Sequence, residues 1–226
     1  EERVTATVRA GARGVHVDDH LGTSGALFLG ACFCDRCVEG FRSRDPDYRA
    51  SVLAWLKAAP PGETRRVQDH VLWAEWSAYH LRAAAAYVAQ LRALAAREAG
   101  REVPVSANAG LLWPNHLATY RALDFFSAEI EHGAASLGPT DRPLFAYRMA
   151  DAMGRPLAAT ASGQDWAFVK ERGCPGLVRG WVAASYAAGH SLMAPHRQWC
   201  HTAEKGTHWY DGPREAYAPL YRFVRE

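Results

Sequence analysis

DFFSAEIE, residues Asp124 to Glu131, alternates with a period of two. Phe126, Ala128 and Ile130 fall on one face, and Ser127, Glu129 and Glu131 on the other. A strand of this kind buries its apolar face. Its two glutamates then stand at the carboxyl end on the opposite side, where an idle buried carboxylate is too costly to keep. Both are candidate catalytic groups, with an ion pair to Arg148 or Arg197, or simple solvation, as the plain structural alternative.

Outward from this stretch, four more short apolar runs appear: RGVHVD (Arg13 to Asp18), VPVSAN (Val103 to Asn108), PLAATAS (Pro156 to Ser162) and SLMAPH (Ser191 to His196). Helix-like sequence separates them. The longest lies between about Leu72 and Arg97, with Trp76, His80, Ala83, Tyr87, Leu91 and Leu94 as its apolar stripe. Others run near Leu117 to Leu123 and Val178 to Ala187, the latter opened by Pro175, and from Arg214 to Val224. AAPPGETRR (58–66) and EHGAASLGPTDRP (131–143) read as loops within one domain spanning 1–226.

Strands alternating with helices predict an α/β fold with a parallel sheet. No G-x-G-x-x-G follows the first strand, and polar residues close nearly every run: Asp18 and Asp19, Asn108, Glu129 and Glu131, Ser162, His196. In a (β/α)8 TIM barrel such positions converge on one rim, where active sites are built. The expectation is therefore the C-terminal part of a (β/α)8 barrel, seen from about its third helix onward, with three strands before Glu1.

Composition excludes several classes. A net charge of +2 and 22% charged residues give no basic stripe for nucleic acid, and no apolar run is long enough to span a bilayer. Five cysteines, an odd number, argue for thiolates in a reducing compartment, the cytoplasm, rather than a disulfide framework. Three of them, Cys32, Cys34 and Cys37, form C-x-C-x-x-C, a set of ligands for one soft cation, with free core thiols as the plain alternative given the apolar neighbours in ACFC. Zinc with a structural role takes four ligands, the fourth coming from His20, Cys174, Cys200 or an upstream residue.

Asp18 ends its strand and Asp19 begins the loop. Paired with Glu129 or Glu131, one of them serves as proton donor and the glutamate as nucleophile or base, the two-carboxylate arrangement of glycoside hydrolysis. Trp113, Trp166, Trp199 and Trp209 at loop positions suit stacking on sugar rings. Asn108, Asp165, His196 and Arg197 complete the candidate substrate-binding set, and His201, Lys205 and His208 follow close behind. A carbohydrate is the expected partner. Two alternatives remain: a non-catalytic carbohydrate-binding barrel, and a hydrolase whose metal is held by strand-end Asp and His.

VDDHLG followed by CFCDRCVEGFR resembles the segment of glycoside hydrolase family 42 β-galactosidases in which an Asn-Glu pair ends the fourth barrel strand and precedes C-x-C-x-x-C. The similarity continues at low identity through VPVSANAG, LDFFSAEIE, GRPLAATAS and HRQW. It implies a catalytic barrel, a structural zinc on the cysteines with a fourth cysteine from upstream, and a trimer. The family's acid/base Glu falls on Asp19 and its Asn on Asp18. The strand-end nucleophile falls in AATASGQDW, which offers Ser162, Gln164 and Asp165 but no Glu.

Overall fold

The computed structural model describes residues 1–18, 32–109, 114–136, 141–194 and 214–225. They fall into two compact units. One comprises Glu1–Ala12, Asp19–Val103 and Ala118–Ala122; the other comprises Arg13–Asp18, Pro104–Leu117 and Leu123–Glu226.

The first unit is helical: α1 (Glu2–Arg9), α2 (Asp35–Gly40), α3 (Tyr48–Lys57) and α4 (Trp73–Ala99). Asp47 caps α3 by accepting from the Ala50 N–H at 3.0 Å. Gly100 ends α4 with a φ of 62°, a left-handed turn that suits glycine. α1 packs on α4, where Arg9 reaches Glu98 at 2.8 Å. The buried stripe of α4 is Trp76, His80, Ala84, Val88, Leu91, Leu94 and Ala95. Steps of four thus carry it through Ala84 and Val88 rather than Ala83 and Tyr87, and Tyr87 faces solvent.

Around Trp76 an aromatic core assembles. Phe33 stacks on it at 5.2 Å, Phe41 meets it edge-on at 5.1 Å, and Tyr48 lies 4.9 Å away. Trp76 and Tyr48 are wholly buried, and Val38 and Val52 fill the gaps between the rings. Rings offset or edge-on in this way gain from their quadrupoles beyond the area they bury.

The second unit holds the sheet: β1 (Val15–Val17), β2 (Val105–Asn108), β3 (Phe125–Ile130), β4 (Leu157–Ala161) and β5 (Ser191–Leu192). The five predicted strands are all present. Every pairing is parallel, and the spatial order is β1-β2-β3-β4-β5. Asp124 locks the start of the central pair: its carboxylate accepts from the Val105 N–H at 2.8 Å while its own N–H donates to the Val105 carbonyl. α5 (Asp141–Ala152) packs on β3 and β4, and α7 (Pro175–Ala187) packs on β5, α6 (Gly163–Arg172) and α8 (Arg214–Arg225).

The expected (β/α)8 barrel is not what the described residues form. Among them, five parallel strands make one sheet with β1 and β5 at its edges. A barrel requires the last strand to pair with the first. Strict β-α succession dictates parallel neighbours but carries no information on closure, which is why the sequence pattern overreached.

Two rows of side chains follow from the register. Val15, Val105, Ala107, Phe126, Ala128, Leu157, Ala159 and Leu192 form a fully buried apolar row. Their neighbours on the opposite side are His16, Ser106, Asn108, Phe125, Ser127, Glu129, Ala158, Thr160 and Ser191. Apart from Phe125 and Ala158 this second row is polar, and it is exposed at His16 and Glu129.

Candidate functional site

The polar row brings together part of the expected constellation. Asp18 directly follows β1 and lies level with Asn108, whose side-chain amide donates to its Oδ1 at 3.2 Å. Glu129 stands further along the same face, on β3, with Thr160 beside it on β4. Glu129 remains in contact with solvent, yet partial desolvation first, and the Asp18 charge second, raise its carboxyl above the ordinary glutamate value. A carboxyl biased toward its neutral form is suited to giving up a proton.

One layer below, His16 Nδ1 and Ser106 Oγ lie 3.0 Å apart. Neither belongs to the expected set of site residues. The alternation of Gly14, His16 and Asp18 within GVHVD, which puts His16 and Asp18 on one face, was the available signal.

Glu131 does not join this group. β3 ends at Ile130, and the Glu131 carboxylate leaves the alternation to pair with Arg142. The plain alternative of an ion pair thus holds for Glu131, with Arg142 rather than Arg148, which faces Asp151.

Asp165 is a framework residue. Its buried carboxylate accepts from the backbone N–H groups of His132 and Ala134, both at 2.7 Å, and from the N–H and hydroxyl of Ser162. Ser162 in return accepts from the Asp165 N–H, closing a capping box at the start of α6. Buried and bonded to the chain through both oxygens, it is withdrawn from the substrate-binding set. Trp166 is likewise buried, with its indole N–H donated to Thr160 and its ring edge-on to Trp181 at 5.6 Å, so it offers no face to a sugar. Asp19, Trp113, His196, Arg197, Trp199 and Trp209, with His20, Cys200, His201, Lys205 and His208, lie outside the described residues.

In the helical unit, Cys32, Cys34 and Cys37 converge so that their Sγ atoms all lie within 4.8 Å of one another, close enough to hold a metal ion. Cys34 precedes α2 and is exposed; Cys37 lies in the first turn, half-buried against the aromatic core. The Cys37 N–H, together with the thiols of Cys32 and Cys37, holds the Cys34 thiol below its usual value. Desolvation and its two neighbours push Cys37 up to about 12. His80, beneath the loop, is 2% exposed and donates to the Cys32 carbonyl, and burial depresses its basicity. Cys174, which precedes α7, is not part of this cluster.

No helix among the described residues is long and apolar enough to cross a membrane. Compared with protein-family models, curated proteins and solved structures, the chain matches none.

Proposed function

We propose that the chain is a carbohydrate-active enzyme that hydrolyses a glycosidic bond, with Glu129 and Asp18 as its working carboxyl groups. The observation that carries this reading is the placement of Asp18 and Glu129 on one polar face of the sheet, where desolvation first and the Asp18 charge second raise the Glu129 carboxyl. Glu129 donates a proton to the departing oxygen as the bond to the anomeric carbon breaks. Asp18, oriented by the Asn108 amide, takes a proton from the water that attacks that carbon. These roles reverse the sequence expectation, which made the aspartate the donor.

The register favours inversion. Asp18 and Glu129 are two strands and two residues apart, which places their Cα atoms roughly 12 Å from each other. An Asp and a Glu reaching inward from that distance fit the roughly 6.5 to 9.5 Å carboxyl spacing that admits a water better than the ~5 Å of a covalent mechanism. The cysteine triad would hold zinc in a structural role, since three thiolates leave the ion a weak Lewis acid.

Glu129→Gln and Asp18→Asn, assayed on a panel of aryl glycosides and oligosaccharides, should each lose about a hundredfold or more in kcat/KM. NMR of the first-formed sugar should show the inverted anomer. Unchanged turnover in both variants overturns the reading, and a retained anomer overturns the assigned geometry.

A second reading is favoured by Asp165. Asp165, the one carboxylate in the stretch where the resemblance puts the family nucleophile, accepts from four protein donors, as in a site that binds saccharide without cleaving it. Calorimetric saccharide binding with no product after long incubation supports that reading; measurable turnover excludes it.

A further inference from the structure

The same three thiols that can hold an ion also contain a pair set for different chemistry. We propose that Cys34 and Cys37 are a redox-active dithiol that closes to a reversible disulfide, a state exclusive of metal binding by the triad. This is independent of the glycosidase reading and rests on the cysteine geometry.

Cys34 Sγ and Cys37 Sγ lie 3.5 Å apart, and both thiols are free. Residues three apart at a helical turn have Cα atoms about 5 Å from each other. That lies inside the 4.4 to roughly 6.8 Å range of natural disulfides, so rotation about χ1 can bring the sulfurs to bonding distance without moving the backbone. Access is asymmetric. Cys34 is exposed to an incoming reagent, whereas Cys37 packs against the core of Phe41, Tyr48 and Trp76 and reacts from the protein side. Cys32 is the third thiol of the cluster, but its C-x-C spacing closes a smaller ring with Cys34 than C-x-x-C does.

The oxidant is a small-molecule disulfide such as oxidised glutathione. The Cys34 thiolate attacks one of its sulfurs, forming a mixed disulfide and expelling one thiolate. Cys37 loses its proton to solvent and attacks the Cys34 sulfur, expelling the second thiolate. Two protein thiols are oxidised by two electrons and one external disulfide is reduced to two thiols. Because two of the three ligands are spent, the oxidised cluster cannot hold the ion.

The full chain, stripped of metal or loaded with zinc, is equilibrated in glutathione buffers of stepped ratio, alkylated, and mapped by peptide mass. A Cys34–Cys37 disulfide is expected in the metal-free wild type and in Cys32→Ser, absent from Cys34→Ser and Cys37→Ser, and reversed by dithiothreitol. Zinc should slow its formation about tenfold or more by occupying the thiolates. Failure of any disulfide to form in oxidising buffer, or a majority linkage through Cys32 or Cys174, overturns the dithiol. Equal rates with and without zinc overturn the exclusivity. If Cys32→Ser does not fold, the wild-type map alone decides the linkage.

Discussion

At Glu129 two effects act in the same direction, burial and a neighbouring negative charge, and the second can be removed without touching the first. In Asp18→Asn the Glu129 carboxyl should titrate at lower pH than in the wild type, read by carbon NMR of the side chain. An unshifted titration would show that Asp18 exerts no field there. The sign for stability follows from the raised value. Folding favours the protonated form of Glu129, so its contribution is full below the unfolded glutamate pKa and is lost as pH rises through the folded value. Glu129 was legible in the sequence because strand alternation sorts faces without reference to anything distant. Glu131 was not, since the alternation stops where the strand stops, at Ile130, and its ion-pair partner Arg142 is eleven residues away in sequence. Asp165 could have been recognised: Ser162-x-x-Asp165 is the spacing of a capping box, a local motif that competes with any catalytic assignment.

Among the elements, α4 and its partners show how far periodicity reaches. The helix was evident from its apolar repeat, whereas α2, α3, α5 and α6 were not singled out, being short or lying beside turn-rich sequence. What they pack against could not be foreseen, because the Trp76 core joins Phe33, Phe41, Tyr48 and α4 from distant positions. That core contains a weakness. The Tyr48 hydroxyl is buried without a hydrogen-bond partner among the described residues, and desolvation drives its pKa up to about 12. Tyr48→Phe keeps the ring and removes the stranded group, so it should be neutral or stabilising by up to about 1 kcal/mol. Chemical denaturation measures this; a loss of more than about 1 kcal/mol would reveal a hydroxyl partner.

For the molecule as a whole, strand number and direction were readable in the sequence but sheet closure was not. The path of the chain matters as much as the sheet order. β1 belongs with β2 to β5, although residues on both sides of it in sequence belong to the helical unit. A fragment spanning 104–226 therefore contains the other four strands but leaves β2 with an unpaired edge. Such a fragment should lack a cooperative unfolding transition, or associate through that edge, when followed by circular dichroism and sedimentation. A monomeric fragment that unfolds cooperatively would show that β1 is dispensable.

The sequential order of the sheet also bears on how the chain emerges from the ribosome. From β2 onward, each strand is synthesised beside the one it will pair with, so the sheet can grow along a single advancing edge as translation proceeds. β1 is the exception. It leaves the exit tunnel before the other four and must wait through the synthesis of α2, α3 and α4 before β2 exists. That interval makes it the strand that nascent-chain chaperones have most reason to guard.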